Sequence, residues 1–265
     1  MISSQDLNLL DSPPGLGLEG RVAWITGASR GLGRTIAFAF AGAGAEVVLS
    51  ARNGGHLAEI SEAIAERGGT SHVVVGSVTE EADVAAAVET IADRCGRLDV
   101  LVNNAGISPY FVRSERLEPA AMRELLDTNL VGAFDCCRAA FGLLELSPAA
   151  SVVNVSSVHG SRSHERMLAY AVTKGGMEML TRTLADEWAD RGIRVNSLAP
   201  GYITTEMTEG LRDHERWNAE LTERTPLGRF ATTQEIAACA LFLAAPISGY
   251  VTGTTLFADG GWSAR

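Results

Sequence analysis

The sequence predicts an α/β protein with a doubly wound, mostly seven-stranded parallel sheet and helices on both of its faces. Short β-branched runs alternate with helical patterns along all 265 residues. Most of the strand candidates are apolar at successive positions, which is typical of parallel strands that are covered on both sides. Ligands of such sheets bind outside the carboxyl ends of the strands, so the strand-to-helix turns are the candidate site.

The strand candidates are short segments bounded by turn residues. In chain order they read RVAWITG, AEVVLS, SHVVVG, LDVLVNNAG, SVVNVSS, IRVNSLAPG and TTLFADGG. Helical periodicity fills the intervals, at 33–43, 56–67, 80–94, 119–145, 165–191 and 232–244. No linker or change in composition divides this alternation. We therefore expect one domain over 19–265, preceded by a flexible leader at 1–18.

Charge and hydropathy exclude several classes of function. The net charge of −10 argues against a nucleic-acid partner, which would require a basic surface. The most apolar segments, near 35–45 and 236–247, are shorter than the roughly 20 residues that a membrane span needs. The leader lacks the basic start and the apolar core of a signal peptide. These features predict a soluble, cytoplasmic protein without a membrane partner.

The four cysteines indicate reduced thiols rather than disulfides or a metal site. Cys95, Cys136, Cys137 and Cys239 do not have the spacing of metal ligands, and the adjacent pair lies within a helical pattern. Reduced thiols in the core or at an interface fit a cytosolic protein. We therefore expect no metal ion in the site.

A glycine-rich turn follows the first strand, in the segment WITGASRGLGRTIAFAF. Gly27, Gly31 and Gly33 stand where the strand ends and the helix begins. Because glycine has no side chain, backbone amides there can approach a pyrophosphate at the helix N-terminus. The spacing is G-x-x-x-G-x-G, which differs from the common G-x-G-x-x-G fingerprint of dinucleotide sites.

The segment TGASRGLG at 26–33 resembles the cofactor loop of the short-chain dehydrogenase/reductase family, and NNAG at 103–106 is similar to that family's second signature. The resemblance extends over about 19–262 and implies a Rossmann-like fold. It also implies a nicotinamide dinucleotide cofactor. The residues that it places against the cofactor are Gly27, Ser29, Arg30, Gly31, Leu32, Gly33, Arg52, Ser77, Val78, Asn104, Ala105, Gly106, Tyr170, Lys174, Pro200, Gly201, Ile203 and Thr205.

Charge near the second strand favours NADP(H) over NAD(H). NAD-dependent members of the family carry an acid where this chain has Ala51, and Arg52 follows it. Arg30 lies in the glycine loop. Guanidinium groups suit the charge of a 2′-phosphate, whereas the missing acid would have bound the ribose hydroxyls. One departure from the family is the pair Ser77–Val78, which stands where an aspartate usually contacts adenine.

The segment AYAVTKGGMEML places Tyr170 and Lys174 one helical turn apart, so they share a helix face. Ser157 lies thirteen residues before the tyrosine, and Asn129 lies in the helical segment LLDTNLVGAF. This arrangement resembles the family's Asn–Ser–Tyr–Lys tetrad. It implies that the tyrosine exchanges a proton with the substrate oxygen, that the serine binds that oxygen, and that Asn129 holds a water beside Lys174.

The tyrosine needs help if it is to act as a base, because its pKa is ordinarily about 10. A lysine ammonium about 4 Å away would supply a Coulomb interaction of roughly 4 kcal/mol at an effective dielectric of about 20. We therefore expect Lys174 to lower the pKa of Tyr170. In the family, the lysine also donates to the ribose of the nicotinamide.

Three segments are expected to line a substrate pocket: ISPYFVRSERL, HGSRSHERML and a charged lid at 204–228. The middle segment is basic and indicates a polar substrate such as a sugar acid, with His164 or Arg166 pairing with its carboxylate. The candidate substrate residues are Ser108, His159, His164, Arg166 and Tyr202. Arg162 belongs to the same basic segment.

Three functions remain open at this point. The C-terminal half resembles gluconate 5-dehydrogenase-like members, and 3-oxoacyl-carrier-protein reductases share many of the same sequence motifs. The third reading is a non-catalytic nucleotide-binding regulator. Family members are usually tetramers, so the resemblance implies a homotetramer or a homodimer joined through the helix at 165–191 and the segment at 254–261.

Overall fold

The computed structural model describes residues 16–264, and within that range seven parallel strands form one sheet in the order β3-β2-β1-β4-β5-β6-β7. The strands are β1 Val22–Thr26, β2 Glu46–Ala51, β3 Ser71–Val75, β4 Val100–Asn103, β5 Ser151–Val155, β6 Arg194–Pro200 and β7 Thr255–Ala258. The predicted doubly wound fold is confirmed. The winding reverses between β1 and β4, which is where such sheets open a ligand crevice.

Each predicted helical interval contains a helix. The helices are α1 Gly31–Gly42, α2 Gly54–Glu66, α3 Glu81–Cys95, α4 Pro119–Leu126, α5 Gly132–Leu144, α6 Leu168–Trp188, α7 Glu209–Arg212, α8 Glu215–Arg224 and α9 Thr233–Ala244. A π-helical turn at Asp127–Val131 joins α4 to α5. The long predicted helix at 119–145 is thus one helical rod with a π-bulge, a feature that is frequent at functional sites.

The alternation of side chains along each strand builds two cores, one on each face of the sheet. In β1, Ala23 and Ile25 pack with α1, α2 and α9, while Val22 and Trp24 pack with α3, α5 and α6. Both faces are apolar because helices cover both, which explains the unbroken hydrophobic strand segments.

Most of the predicted leader lies in residues 1–15, outside the described part of the chain. Leu18, at the end of that leader, is fully buried, and its amide donates to the Ala43 carbonyl at 2.7 Å. Regular packing therefore begins before residue 19. None of the helices within 16–264 combines the length and hydropathy needed to cross a membrane.

The charged segment at 204–228 contains helical structure that the sequence patterns did not locate. A 3₁₀ turn at Glu206–Thr208 leads into α7 and then α8. Leu221 is the buried anchor of α8 and packs against Trp262. The segment stays predominantly polar because most of its surface faces solvent, which is why hydrophobic periodicity did not reveal it.

Candidate active site

A continuous cleft of about 1940 Å³ runs along the carboxyl ends of the strands. Every residue predicted to contact the cofactor lines this cleft. The same cleft contains Ser157, Tyr170 and Lys174 of the predicted tetrad. The structure therefore brings the glycine loop and the candidate catalytic residues together on one surface, as the crevice of a doubly wound sheet requires.

The glycine loop has a backbone that other residues would not tolerate. Gly27 and Gly31 have φ angles of +66° and +52°. A Cβ on Gly33 would lie 2.3 Å from the Gly27 carbonyl oxygen, so the loop can close against α1 only with glycine there. Arg30 occupies the N-cap of α1 without a side-chain bond to the first-turn amides. Those amides fit a phosphate group, whose charge the helix dipole also favours.

Thr26 braces this loop against the end of β4, a role that the sequence analysis did not assign. Its hydroxyl accepts hydrogen bonds from the backbone amides of Asn104 and Ala105, both at 3.0 Å. The Asn104 side chain in turn donates to the carbonyls of Thr26 at 2.9 Å and Gly27 at 3.2 Å. The segments TGASRGLG and NNAG are therefore one hydrogen-bonded unit.

The end of the cleft beside β2 and α2 is basic on one side. Arg30 and Arg52 are exposed and line it, and His56 lies nearby at the start of α2. Asp83, from α3, also lines the cleft and accepts a hydrogen bond from the Ser77 amide at 2.8 Å. The chain has no aspartate directly after β3, but the carboxylate of Asp83 from α3 lies beside Ser77 in the cleft. No local sequence motif predicts this role for Asp83, because it lies six residues after Ser77 in the chain.

Lys174 is buried against the sheet at the centre of the cleft. Its Nζ donates to the Val155 carbonyl at 2.7 Å and lies 5.7 Å from the centroid of the Tyr170 ring. Burial lowers the pKa of Lys174 to about 8.

The pKa of Tyr170 is raised, contrary to the expected lowering. Burial raises the pKa of this phenol, and its hydrogen bond with Ser157 offsets only part of that rise. The Lys174 ammonium donates to the Val155 carbonyl at 2.7 Å. Tyr170 is therefore a protonated group near neutral pH, the form that can donate a proton.

Asn129 is fully buried in the π-helical turn and stands behind the cleft wall. Its Oδ1 accepts from the Ile107 amide at 2.8 Å, and its Nδ2 donates to the Ile107 carbonyl at 2.9 Å and to Thr173 Oγ1 at 3.2 Å. These bonds tie the loop after β4 to α6. The predicted water-holding role of Asn129 stays a prediction.

His159 and Tyr202 form a hydrogen-bonded pair in the substrate end of the cleft. The ring Nδ1 faces the Arg162 carbonyl at 3.4 Å, and Nε2 lies 3.1 Å from the Tyr202 hydroxyl. Burial lowers the pKa of His159 to about 4, so its ring is neutral at pH 7. A carbonyl can only accept, so Nδ1 carries the proton and Tyr202 donates to Nε2. The Tyr202 oxygen keeps its lone pairs for a ligand.

Aromatic side chains close the outer end of the cleft. Phe111, from the segment after β4, meets Trp217 of α8 edge to face at 5.7 Å between centroids. Both residues line the cleft, together with Met207 and Leu211. The predicted lid is therefore in contact with the opposite wall, and its mobility stays a prediction.

The basic segment does not form the predicted cationic pocket. Arg166 does not line the cleft; its guanidinium lies 5.5 Å from the Phe111 ring centroid and 3.8 Å from Glu165. Arg162 donates to the Ser263 carbonyl at 2.8 Å and also lies outside the lining. Arg166 has a φ angle of +64°, which is uncommon for a residue other than glycine. His159, His164, Ser108 and Tyr202 do line it.

Comparisons with known proteins find relatives over nearly the whole chain. The family model described as enoyl-(acyl carrier protein) reductase matches residues 27–263. A 3-oxoacyl-[acyl-carrier-protein] reductase of Vibrio harveyi is 37% identical, with 93% of this chain and 98% of the relative covered. A galactitol 2-dehydrogenase (L-tagatose-forming) of Cereibacter sphaeroides is 39% identical, with 93% and 96% covered.

A crystal structure shows the same fold with a ligand in place. It is a gluconate 5-dehydrogenase from Burkholderia cenocepacia in complex with NADP and tartrate. That chain is 36% identical and superposes with a TM-score of 0.90, covering 97% of this chain and 99% of its own.

Proposed function

Because this chain belongs to the short-chain dehydrogenase/reductase family, we propose that it is an NADP(H)-dependent enzyme that interconverts a secondary alcohol and a ketone on a polar, hydroxylated substrate. The chain is an oxidoreductase of the kind that acts on CH–OH groups. The observation that carries the finer proposal is the juxtaposition of Ser157, Tyr170 and Lys174 with the glycine loop in one cleft.

The glycine loop, the α1 N-terminus and Lys174 are the groups that would hold the cofactor. When bound, the reduced nicotinamide supplies a hydride to the substrate carbon. Ser157 orients the carbonyl oxygen, and protonated Tyr170 donates to the alkoxide that develops on it. In the reverse direction Tyr170 accepts the alcohol proton, and the nearby Lys174 ammonium stabilises the phenolate. The raised pKa of Tyr170 keeps the phenol protonated near neutral pH, which is the form that reduction requires.

Arg30 and Arg52 support the preference for NADP(H). Both are exposed at the adenosine end of the cleft, where a 2′-phosphate would lie, and Ala51 leaves no acid at the end of β2 to repel it. The gluconate 5-dehydrogenase of Burkholderia cenocepacia was crystallised with NADP, which supports the same assignment.

The pair His159–Tyr202 supports a hydroxylated substrate. Tyr202 offers a hydrogen-bond acceptor to the cleft, and a sugar or polyol hydroxyl is a suitable donor. His159 is neutral, and Arg166 does not line the cleft. His164 is therefore the residue of the basic segment that could bind a substrate carboxylate. This composition fits a polyol or ketose as well as a sugar acid.

One observation favours a second function, the reduction of 3-oxoacyl thioesters. Phe111, Met207, Leu211 and Trp217 make the outer end of the cleft apolar, as an acyl chain would require. The relative from Vibrio harveyi has such an activity in its name. Turnover of an acetoacetyl thioester distinguishes the two functions.

An assembly of identical subunits is also part of the proposal. On α6, Leu168, Val172 and Met179 expose 47%, 42% and 57% of their surfaces, although they are apolar. Phe257 of β7 is also exposed. Such faces favour association, and light scattering after gel filtration measures the resulting mass.

The experiment that tests the proposed function begins with binding titrations of NADPH and NADH. A panel of polyols, ketoses, sugar acids and an acetoacetyl thioester is then assayed with the tighter cofactor. We expect tighter NADPH binding and turnover of a hydroxylated compound. Binding of neither cofactor contradicts the proposal, and turnover of the thioester alone selects the second function.

A further inference from the structure

Glu46, His72 and Cys95 meet at the end of the sheet opposite the cleft. Glu46 begins β2, His72 lies near the start of β3, and Cys95 ends α3. Amino ends of parallel strands share one edge, and the carboxyl ends that carry the cleft form the other. The three residues are therefore remote from the candidate active site.

The register of the sheet explains why these side chains meet. Val48 pairs with His72, and Glu46 lies two residues before Val48, so all three point to the same face of the sheet. That face is covered by α3, whose Ile91 is buried in the same core as Val48. Cys95 lies four residues after Ile91 and so extends the same helix face.

The donor atoms are close and already interact. His72 Nε2 lies 2.6 Å from Glu46 Oε1. One nitrogen, one carboxylate oxygen and the sulfur all lie within 4.8 Å of one another, and the three residues are half-buried.

We propose that Glu46, His72 and Cys95 form a binding site for Zn²⁺. Imidazole, carboxylate and thiolate are all zinc ligands, and a tetrahedral ion bound by three residues keeps its fourth position for water. One carboxylate and one thiolate balance the two charges of the ion. The ion displaces the thiol proton, which is released to solvent.

Only small movements convert the cluster into such a site. Zinc–ligand bonds of about 2.0–2.3 Å separate the donor atoms of a tetrahedral site by about 3.4–3.6 Å. The Glu46–His72 pair must open from 2.6 Å, and no donor pair starts beyond 4.8 Å. The side chains are partly exposed, so rotation about their own bonds suffices.

Zinc bound here would join two strands and a helix. Because ion binding to the folded chain alone raises its stability, Zn²⁺ should raise the unfolding temperature. The site is on the opposite edge of the sheet from the cleft, so cofactor binding should be unaffected. That separation distinguishes this proposal from the proposed function.

The test uses Co²⁺ as a spectroscopic substitute for Zn²⁺ on the full chain without a histidine tag. After removal of metals with a chelator, Co²⁺ titration should produce a thiolate-to-metal charge-transfer band that saturates at one ion per chain. Added Zn²⁺ should abolish the band. Absence of the band in the folded protein overturns the proposal.

Two variants and a matched control locate the ligands. Cys95→Ser should abolish the charge-transfer band, whereas Cys239→Ser, which alters another half-buried thiol, should keep it. His72→Ala should weaken Co²⁺ binding and remove the Zn²⁺-dependent rise in unfolding temperature, and it remains informative if Cys95→Ser does not fold. A band that survives in folded Cys95→Ser overturns the assignment.

Discussion

Asn129 binds both polar backbone groups of Ile107 with one side chain. Its Oδ1 accepts from the Ile107 amide at 2.8 Å, and its Nδ2 donates to the Ile107 carbonyl at 2.9 Å. A third bond, to Thr173, connects the same side chain to the helix of Tyr170 and Lys174. The loop after β4 and the helix of Tyr170 and Lys174 are thereby held in a fixed relation.

Replacement of this residue should destabilise the fold. Asn129→Ala leaves the Ile107 groups without their partner, so we expect the free energy of unfolding to fall by about 2 kcal/mol. Asn129→Asp keeps the acceptor but loses the donor and buries a charge, so it should be no more stable than the alanine variant. Urea unfolding measures both. An unchanged urea midpoint for Asn129→Ala would contradict a stabilising role for the hydrogen bonds of Asn129.

Removal of the Tyr170 hydroxyl should separate chemistry from binding. Tyr170→Phe keeps the ring but lacks the proton donor, so kcat for ketone reduction should fall by roughly 10²–10⁴. NADPH affinity, measured by fluorescence titration, should change little. Tyr250→Phe is the matched control, because Tyr250 is fully exposed and distant from the cleft lining. Equal rates for the Tyr170 and Tyr250 variants would remove the catalytic assignment.

Arg52 should distinguish the two cofactors. Arg52→Ala should weaken NADPH binding by about tenfold or more, since a charge-assisted contact to a 2′-phosphate contributes roughly 1.5–3 kcal/mol. NADH binding should stay the same, because it has no such phosphate. Arg94→Ala, an exposed arginine of α3 outside the cleft, is the control. An equal loss of affinity for both cofactors would argue against phosphate recognition.

Gly33 should not tolerate even a methyl group. In Gly33→Ala the new Cβ would lie 2.3 Å from the Gly27 carbonyl oxygen, so the loop must shift and cofactor affinity should fall sharply. Gly142→Ala on α5 is the control, because its Cβ would have no atom within 4 Å. That variant should be as stable as the parent or up to about 1 kcal/mol more stable, since alanine favours helix. Calorimetry and NADPH titration test both variants.

The neutral state of His159 should make stability depend on pH. Its pKa is about 4 in the folded protein and about 6.5 as a free side chain, so the unfolded chain binds the additional proton first as pH falls. The stability that His159 contributes is present above pH 6.5 and is lost between about pH 6.5 and 4, by roughly 3 kcal/mol. Urea unfolding of the parent and of His159→Gln at pH 7 and 4.5 measures how much the free energy of unfolding of each protein changes with pH. An identical pH dependence in the two proteins would show that His159 is not held as a buried, neutral ring.

The groups that face His159 bear on the same experiment. His164 and Arg224 disfavour its protonation, while the Arg162 carbonyl favours it. The comparison rests on the difference between the variant and the parent. His164→Gln should leave most of the pH dependence in place if His159 is its main source.

Much of the site could be predicted because its signals are local in sequence. Gly27, Gly31 and Gly33 follow a recognisable strand, and Tyr170 and Lys174 share one helical turn. The strands were recognisable because both faces of the sheet are apolar. Each of these signals depends on neighbouring residues and on the period of one element.

The remaining features depend on contacts between residues that are distant in the chain. Arg166 was expected in the cleft, but it does not line it, and its guanidinium lies 5.5 Å from the Phe111 ring centroid. The protonation of His159 depends on burial beside Tyr202, and no local pattern reports burial. Spacing likewise could not reveal Glu46, His72 and Cys95 as neighbours, because they come from three elements.

By itself, the sequence determined the order of strands and helices, the glycine loop and the Ser157, Tyr170 and Lys174 set. These follow from local periodicity and from backbone geometry that only glycine adopts readily. Tertiary structure alone decided which basic residues reach the cleft, which protons they hold and how Asn129 is used. The physical reason is that solvation and hydrogen bonding depend on packing between elements, which the sequence of one element does not encode.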